Sequence, residues 1–121
     1  MARILIIDDD GPVRLILRKA LEGEGYEVVD APNGNVGIEL FKEERADLVI
    51  CDLIMPEKEG IETIMELRRD YPEVKIIAMS GGGRGAPDQY LSSAKSLGAN
   101  AALVKPFERE TLLAAVSELL G

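Results

Sequence analysis

Three carboxylates stand side by side at Asp8, Asp9 and Asp10, directly after the apolar run Ile4–Ile7. A fourth, Asp52, closes "LVICD"; a hydroxyl, Ser80, closes "IIAMS"; an ammonium, Lys105, sits in "LVKPF". Carboxylates gathered at one spot repel each other unless a cation joins them. Their hard oxygens suit Mg2+, which a few carboxylates, a backbone carbonyl and waters can hold while leaving positions for phosphate oxygens. An Asp side chain can accept a phosphoryl group covalently, and a divalent ion neutralises the charge that arrives with it. Lys105 would supply a point charge, and Ser80 a hydroxyl, to the oxygens of such a group. The chemistry suggested is phosphoryl transfer to a carboxylate beside Mg2+, with Asp8, Asp9 and Asp52 around the cation.

These groups meet only if the chain brings its strand ends together. Short apolar runs at Ile4–Ile7, Val28–Val29, Leu48–Cys51, Val74–Met79 and Ala101–Val104 alternate with stretches of helical spacing. Val13, Ile16, Leu17, Ala20 and Leu21 share one helical face, after a cap candidate at Asp10 and a proline suited to the first turn. Val36, Leu40 and Phe41 mark a second helix, and Ile61, Ile64, Met65 and Leu67 a third that stops near Pro72. Leu91, Ala94 and Leu97 mark a fourth, ended by Gly98; Leu112, Leu113, Val116, Leu119 and Leu120 mark a fifth. Strands alternating with helices predict an α/β fold, a parallel sheet covered on both faces with right-handed crossovers. The strand runs are continuous rather than alternating, as strands buried on both faces should be. In such a sheet the carboxyl ends emerge on one edge, where ligands bind at the switch in strand order. Four strands would thus deliver Asp8, Asp9, Asp52, Ser80 and Lys105 to one place.

Composition narrows the function further. With 22 acidic against 14 basic residues the net charge is −8, which argues against direct binding to a nucleic-acid backbone. No apolar run approaches the length of a membrane span, and Asp8 interrupts the first one too early for a signal peptide. The single cysteine, Cys51, has no intrachain partner, which fits a reducing compartment; a cytoplasmic protein is expected. The expectation is one domain over residues 1–121, with no output domain.

With these residues in place the chain resembles the response-regulator receiver domains of two-component signalling, over essentially its whole length. The pair Asp8-Asp9 resembles the family's acidic pair, "DLIMP" holds the phosphoacceptor position at Asp52, "MSG" the switch hydroxyl at Ser80, and "VKPF" the lysine at Lys105. The resemblance implies a flavodoxin-like, doubly wound five-stranded sheet of order 2-1-3-4-5 with five helices. It also implies a carbonyl metal ligand at Ile54 and a cis peptide between Lys105 and Pro106. It makes a partner histidine kinase or phosphotransfer protein the phosphoryl donor and a separate protein the downstream effector, and leaves open a phosphorylation-dependent homodimer. The chain contains no His, so it would receive on Asp and could not relay through a phosphohistidine. A signalling protein is expected, not an enzyme.

The sequence also departs from the family. The position three before Lys105, often Tyr or Phe, is Ala102, and the stretch after Ser80, "GGGRGAPDQY", is long and rich in Gly. Tyr90 within it is a candidate replacement for the missing aromatic. Ile54 and Gly82 offer no polar group to orient water toward an acyl phosphate, so a long-lived phosphoform is expected.

Two rival readings exist. "IIDDDG" resembles the opening of haloacid-dehalogenase-type phosphatases, with Asp8 as nucleophile and Asp10 as acid/base; against it, Pro12 stands where that family expects Thr, and no acidic pair follows Lys105 on a later strand. A receiver-shaped module that is never phosphorylated is the other; the full set of charged groups argues against that. Asp10 alone reads most simply as a helix cap, and Cys51 as a small buried hydrophobe.

Overall fold

The computed structural model describes residues 2–53, 60–81, 95–96 and 98–121. Five strands, β1 (Arg3–Ile7), β2 (Glu27–Ala31), β3 (Leu48–Asp52), β4 (Lys75–Gly81) and β5 (Ala101–Lys105), form one parallel sheet in the order β2-β1-β3-β4-β5. Four helices accompany them among the described residues: α1 (Gly11–Glu22), α2 (Gly34–Glu43), α3 (Gly60–Asp70) and α4 (Arg109–Leu120). The helix expected around Leu91–Leu97 falls almost wholly outside the described residues, only Lys95 and Ser96 being seen, in helical conformation.

The continuous apolar strands are explained by their parity. Leu5, Ile7, Val49, Cys51, Ile76 and Ala78 point to one face and pack with Ile38 and Phe41 of α2 and Ile64 and Leu67 of α3. Ile4, Ile6, Leu48, Ile50, Ile77 and Met79 point to the other and meet Leu17 and Leu21 of α1 and Leu112 and Val116 of α4. Both faces are covered, so neither parity can be polar. The chain leaves β1 toward β2 and then returns to the far side of β1 at β3. The switch in strand order therefore lies between β1 and β3, at the ends that carry Asp8 and Asp52.

Helix starts follow from local chemistry. The Asp10 side chain accepts from the Val13 N–H at 3.2 Å, with Pro12 in the first turn of α1. Asn33 does the same for Val36 at 2.9 Å at the start of α2. Gly60 opens α3 hard against β3: a Cβ there would lie 2.0 Å from the Asp52 carbonyl oxygen, so only glycine lets this helix begin so close to the strand end.

Three residues expected on core faces are exposed instead: Ile16 (67%), Met65 (47%) and Val36 (39%). Ile16 and Met65 each adjoin a buried residue, Leu17 and Ile64, and one step along a helix turns the side chain by about 100°. The stripe that faces the sheet is too narrow to hold both.

The opposite, N-terminal edge is tied by two arginines. Arg3 pairs with Glu27 and, at 3.4 Å, with Glu44. Arg68 of α3 donates to the carbonyls of Pro72 (2.6 Å) and Gly98 (2.8 and 3.2 Å) and to Asn100 Oδ1 (2.8 Å). That same Asn100 oxygen accepts from the Ile76 N–H at 2.9 Å.

No described helix is long and apolar enough to cross a membrane.

Candidate functional site

The carboxyl edge brings the expected residues together. Asp8 directly follows β1 and is wholly buried; Asp52 ends β3 and is nearly so; Asp9 is exposed. One carboxylate oxygen from each of Asp8, Asp9 and Asp52 lies within 4.8 Å of the other two. Ser80, also buried, lies on β4 opposite Val104, one residue beyond the Met79 that faces Asp52 and one before the Gly81 that faces Lys105. Lys105 ends β5 and reaches inward: its Nζ donates to Asp8 Oδ2 at 2.8 Å and stands 3.6 Å from Asp52 Oδ1. The cis peptide between Lys105 and Pro106 is present, as the resemblance implies.

Asp8 is held at every polar atom. Its N–H donates to the Ala31 carbonyl (3.1 Å), its carbonyl accepts from Arg14 Nη1 (2.7 Å), its Oδ1 accepts from the Asp10 N–H (2.9 Å) and its Oδ2 from Lys105. A buried carboxylate needs such partners. Asp52 is positioned through its backbone: the next residue, Leu53, donates to the Met79 carbonyl at 2.9 Å and accepts from Gly60 N–H at 3.0 Å, which joins β3, β4 and α3 at this point.

Two electrostatic effects follow from the crowding. Burial works to lower the pKa of the Lys105 ammonium, but the hydrogen bond to Asp8 and the charges of Asp52 and Asp8 outweigh it and hold it above the ordinary lysine value. Burial first, and the charges of Asp52 and Asp8 second, push the Cys51 thiol far above the thiol range. Cys51 is therefore an inert core thiol, not a nucleophile or a ligand.

Three hard anionic oxygen donors within reach of one another, on a rim open through Asp9, fit a small divalent cation that keeps waters and phosphate oxygens in its shell. Ile54, Gly82 and Tyr90 lie outside the described residues. Asp10 turns away to cap α1, in keeping with its reading as a cap. Beside the site, Val13, Ile16 and Leu17 of α1 and the Pro106-Phe107 segment enclose a shallow apolar groove of about 480 Å³, with Lys105 at its rim.

Sequence reasoning missed two participants, Arg14 and Asp30. Arg14 Nε donates to Asp30 Oδ2 at 2.8 Å while its Nη1 holds the Asp8 carbonyl. The readable signal was Asp30 itself, an acid in the interior of the strand "EVVDA" on the neighbour of β1.

Comparison with known proteins agrees with this geometry. The description of a response regulator receiver domain matches residues 4–117. The chemotaxis protein CheY of Thermotoga maritima is 36% identical over 118 residues, 97% of this chain and 96% of that one. CheY of Bacillus subtilis is 35% identical over 120 residues, 98% of each chain. A response regulator receiver domain protein from Clostridium thermocellum has the same fold at a TM-score of 0.90 with 29% identity, covering 98% of this chain and 94% of the other. CheY4 of Vibrio cholerae gives 0.88 at 30% identity and 98% coverage of both.

Proposed function

Since the chain belongs to the response-regulator receiver-domain family, we propose that it accepts a phosphoryl group on Asp52 from a histidine kinase or phosphotransfer protein, in a Mg2+-dependent reaction, and signals through a separate protein. The observation that carries this reading is the gathering of Asp8, Asp9 and Asp52 within 4.8 Å of one another, with the Lys105 ammonium 2.8 Å from Asp8 and 3.6 Å from Asp52.

Asp8, Asp9 and Asp52 would hold the ion, with the Ile54 carbonyl as the further ligand the family resemblance supplies. When bound, Mg2+ neutralises charge on the carboxylates and on the incoming phosphoryl oxygens. A carboxylate oxygen of Asp52 attacks phosphorus in line with the donor's P–N bond; that bond breaks as the O–P bond forms, leaving an acyl phosphate here and a free imidazole on the donor. The donor imidazole must come from another protein, because this chain has no His. Lys105 turns from Asp8 toward a phosphoryl oxygen, and Ser80 donates its hydroxyl to another. The new anionic group then shifts the population of conformations at β5 and α4, where Lys105 and its neighbours sit.

Incubation with acetyl phosphate and Mg2+, followed by mass mapping, tests the proposal. One phosphoryl group on Asp52, lost in Asp52→Asn, is the expected result. A label on Asp8 would mark a phosphatase of the Asp-x-Asp type, and no added mass an inert module.

A further inference from the structure

One cation touches the acidic corner without belonging to it. Arg14, in the second turn of α1, donates through Nη1 to the Asp8 carbonyl at 2.7 Å and through Nε to Asp30 Oδ2 at 2.8 Å. The other Asp30 oxygen accepts from Arg18 Nη1 at 3.0 Å. The Arg14 and Asp30 side chains are only 21% and 26% exposed, so the fork is held in place rather than waving in solvent. The carbonyl it grips belongs to the peptide that joins Asp8 to Asp9. Because that peptide is planar, fixing its oxygen fixes the direction in which the Asp9 backbone leaves. Asp8 has three other bonds to hold it, whereas Asp9 is exposed and has no hydrogen bond among the described residues.

We propose that Arg14, braced by Asp30 of β2, is a positioning residue for the cation site: it sets the Asp8–Asp9 peptide so that the Asp9 carboxylate meets those of Asp8 and Asp52. This rests on the proposed Mg2+ role of the corner. The effect acts through geometry and opposes the simple electrostatic one, since a nearby positive charge by itself weakens cation binding. At Arg14 the two can therefore be separated by sign.

Calorimetric titration of the unphosphorylated protein with Mg2+ is the test, alongside thermal melts that confirm folding. Arg14→Lys keeps the charge but loses the two-pronged grip, and Asp30→Asn removes the brace. Each should weaken Mg2+ binding about tenfold, the lower range for losing an outer partner of a metal ligand. The double variant should be little worse than either single one, because the two residues act as a unit. Variants that melt earlier yet bind Mg2+ like wild type would make the pair purely structural and overturn the proposal. Tighter binding in Arg14→Gln would overturn it too, showing the charge to be the dominant influence. Wild-type protein that takes up no Mg2+ would remove the cation role along with this inference, an outcome distinct from variants that alone are unchanged.

Discussion

At the N-terminal edge of the sheet, Arg68 and Arg3 are closed into fixed partners: four bonds from one guanidinium to three residues, and two carboxylates for the other. At the carboxyl edge, among the described residues, two of three gathered carboxylates, Asp8 and Asp52, share the ammonium of Lys105, and Asp9 has no such partner. Both edges carry charge on neighbouring strands of the same sheet. One bonds its guanidiniums internally, all but the buried Arg3 Nε, and ties α3 to the approach to β5; the other leaves anionic oxygens facing a rim that solvent can reach through Asp9. Charge that is internally matched stabilises, and charge left in excess recruits a ligand.

The largest expected effect comes from removing the shared ammonium. Lys105→Met should slow phosphorylation by acetyl phosphate about a hundredfold, the usual loss for one donor to a developing oxyanion. The same variant should bind Mg2+ more tightly, because a like charge is gone. Rate and affinity moving in the same direction would contradict the division of labour between Lys105 and the cation. Next comes Gly60→Ala, whose added Cβ collides with the Asp52 carbonyl oxygen. We expect a loss of about 2 kcal/mol in urea melts, together with slower labelling, since relief of the clash displaces the acceptor.

Arg68→Ala probes the closed edge. Charge-assisted bonds to the Gly98 and Pro72 carbonyls are lost, so stability should fall by about 2 kcal/mol, while Mg2+ affinity measured by calorimetry stays at the wild-type value. A changed affinity would show that the two edges are coupled through α3. The smallest effect is alkaline. The folded Lys105 ammonium titrates above its ordinary value near 10.5, so its contribution is complete below that value and lost as the pH rises through the folded one. The melting temperature of the Mg2+-free protein should therefore fall on that alkaline side by more than it does in Lys105→Met.

Much of the carboxyl edge was legible because parallel strands must deliver their ends to one place: Asp8, Asp52, Ser80 and Lys105 each stand at or next to a strand terminus. Strand parity was legible too, since runs such as "RILII" and "LVICD" admit no polar face. Arg14 was not, because a cation on a helix has no periodic or terminal signature, and its role depends on the distance between α1 and β2. Arg68 escaped for the same reason: its acceptors are mostly backbone carbonyls, which every residue has. Ile16 was misjudged because spacing alone does not tell how wide a stripe the sheet will cover.

The ion pair between Asp8 and Lys105 joins residues 97 positions apart. A chain emerging from the ribosome therefore holds its acids long before it holds their counter-charge. Until β5 has docked against β4, Asp8 and Asp52 stand without the ammonium that pairs with them.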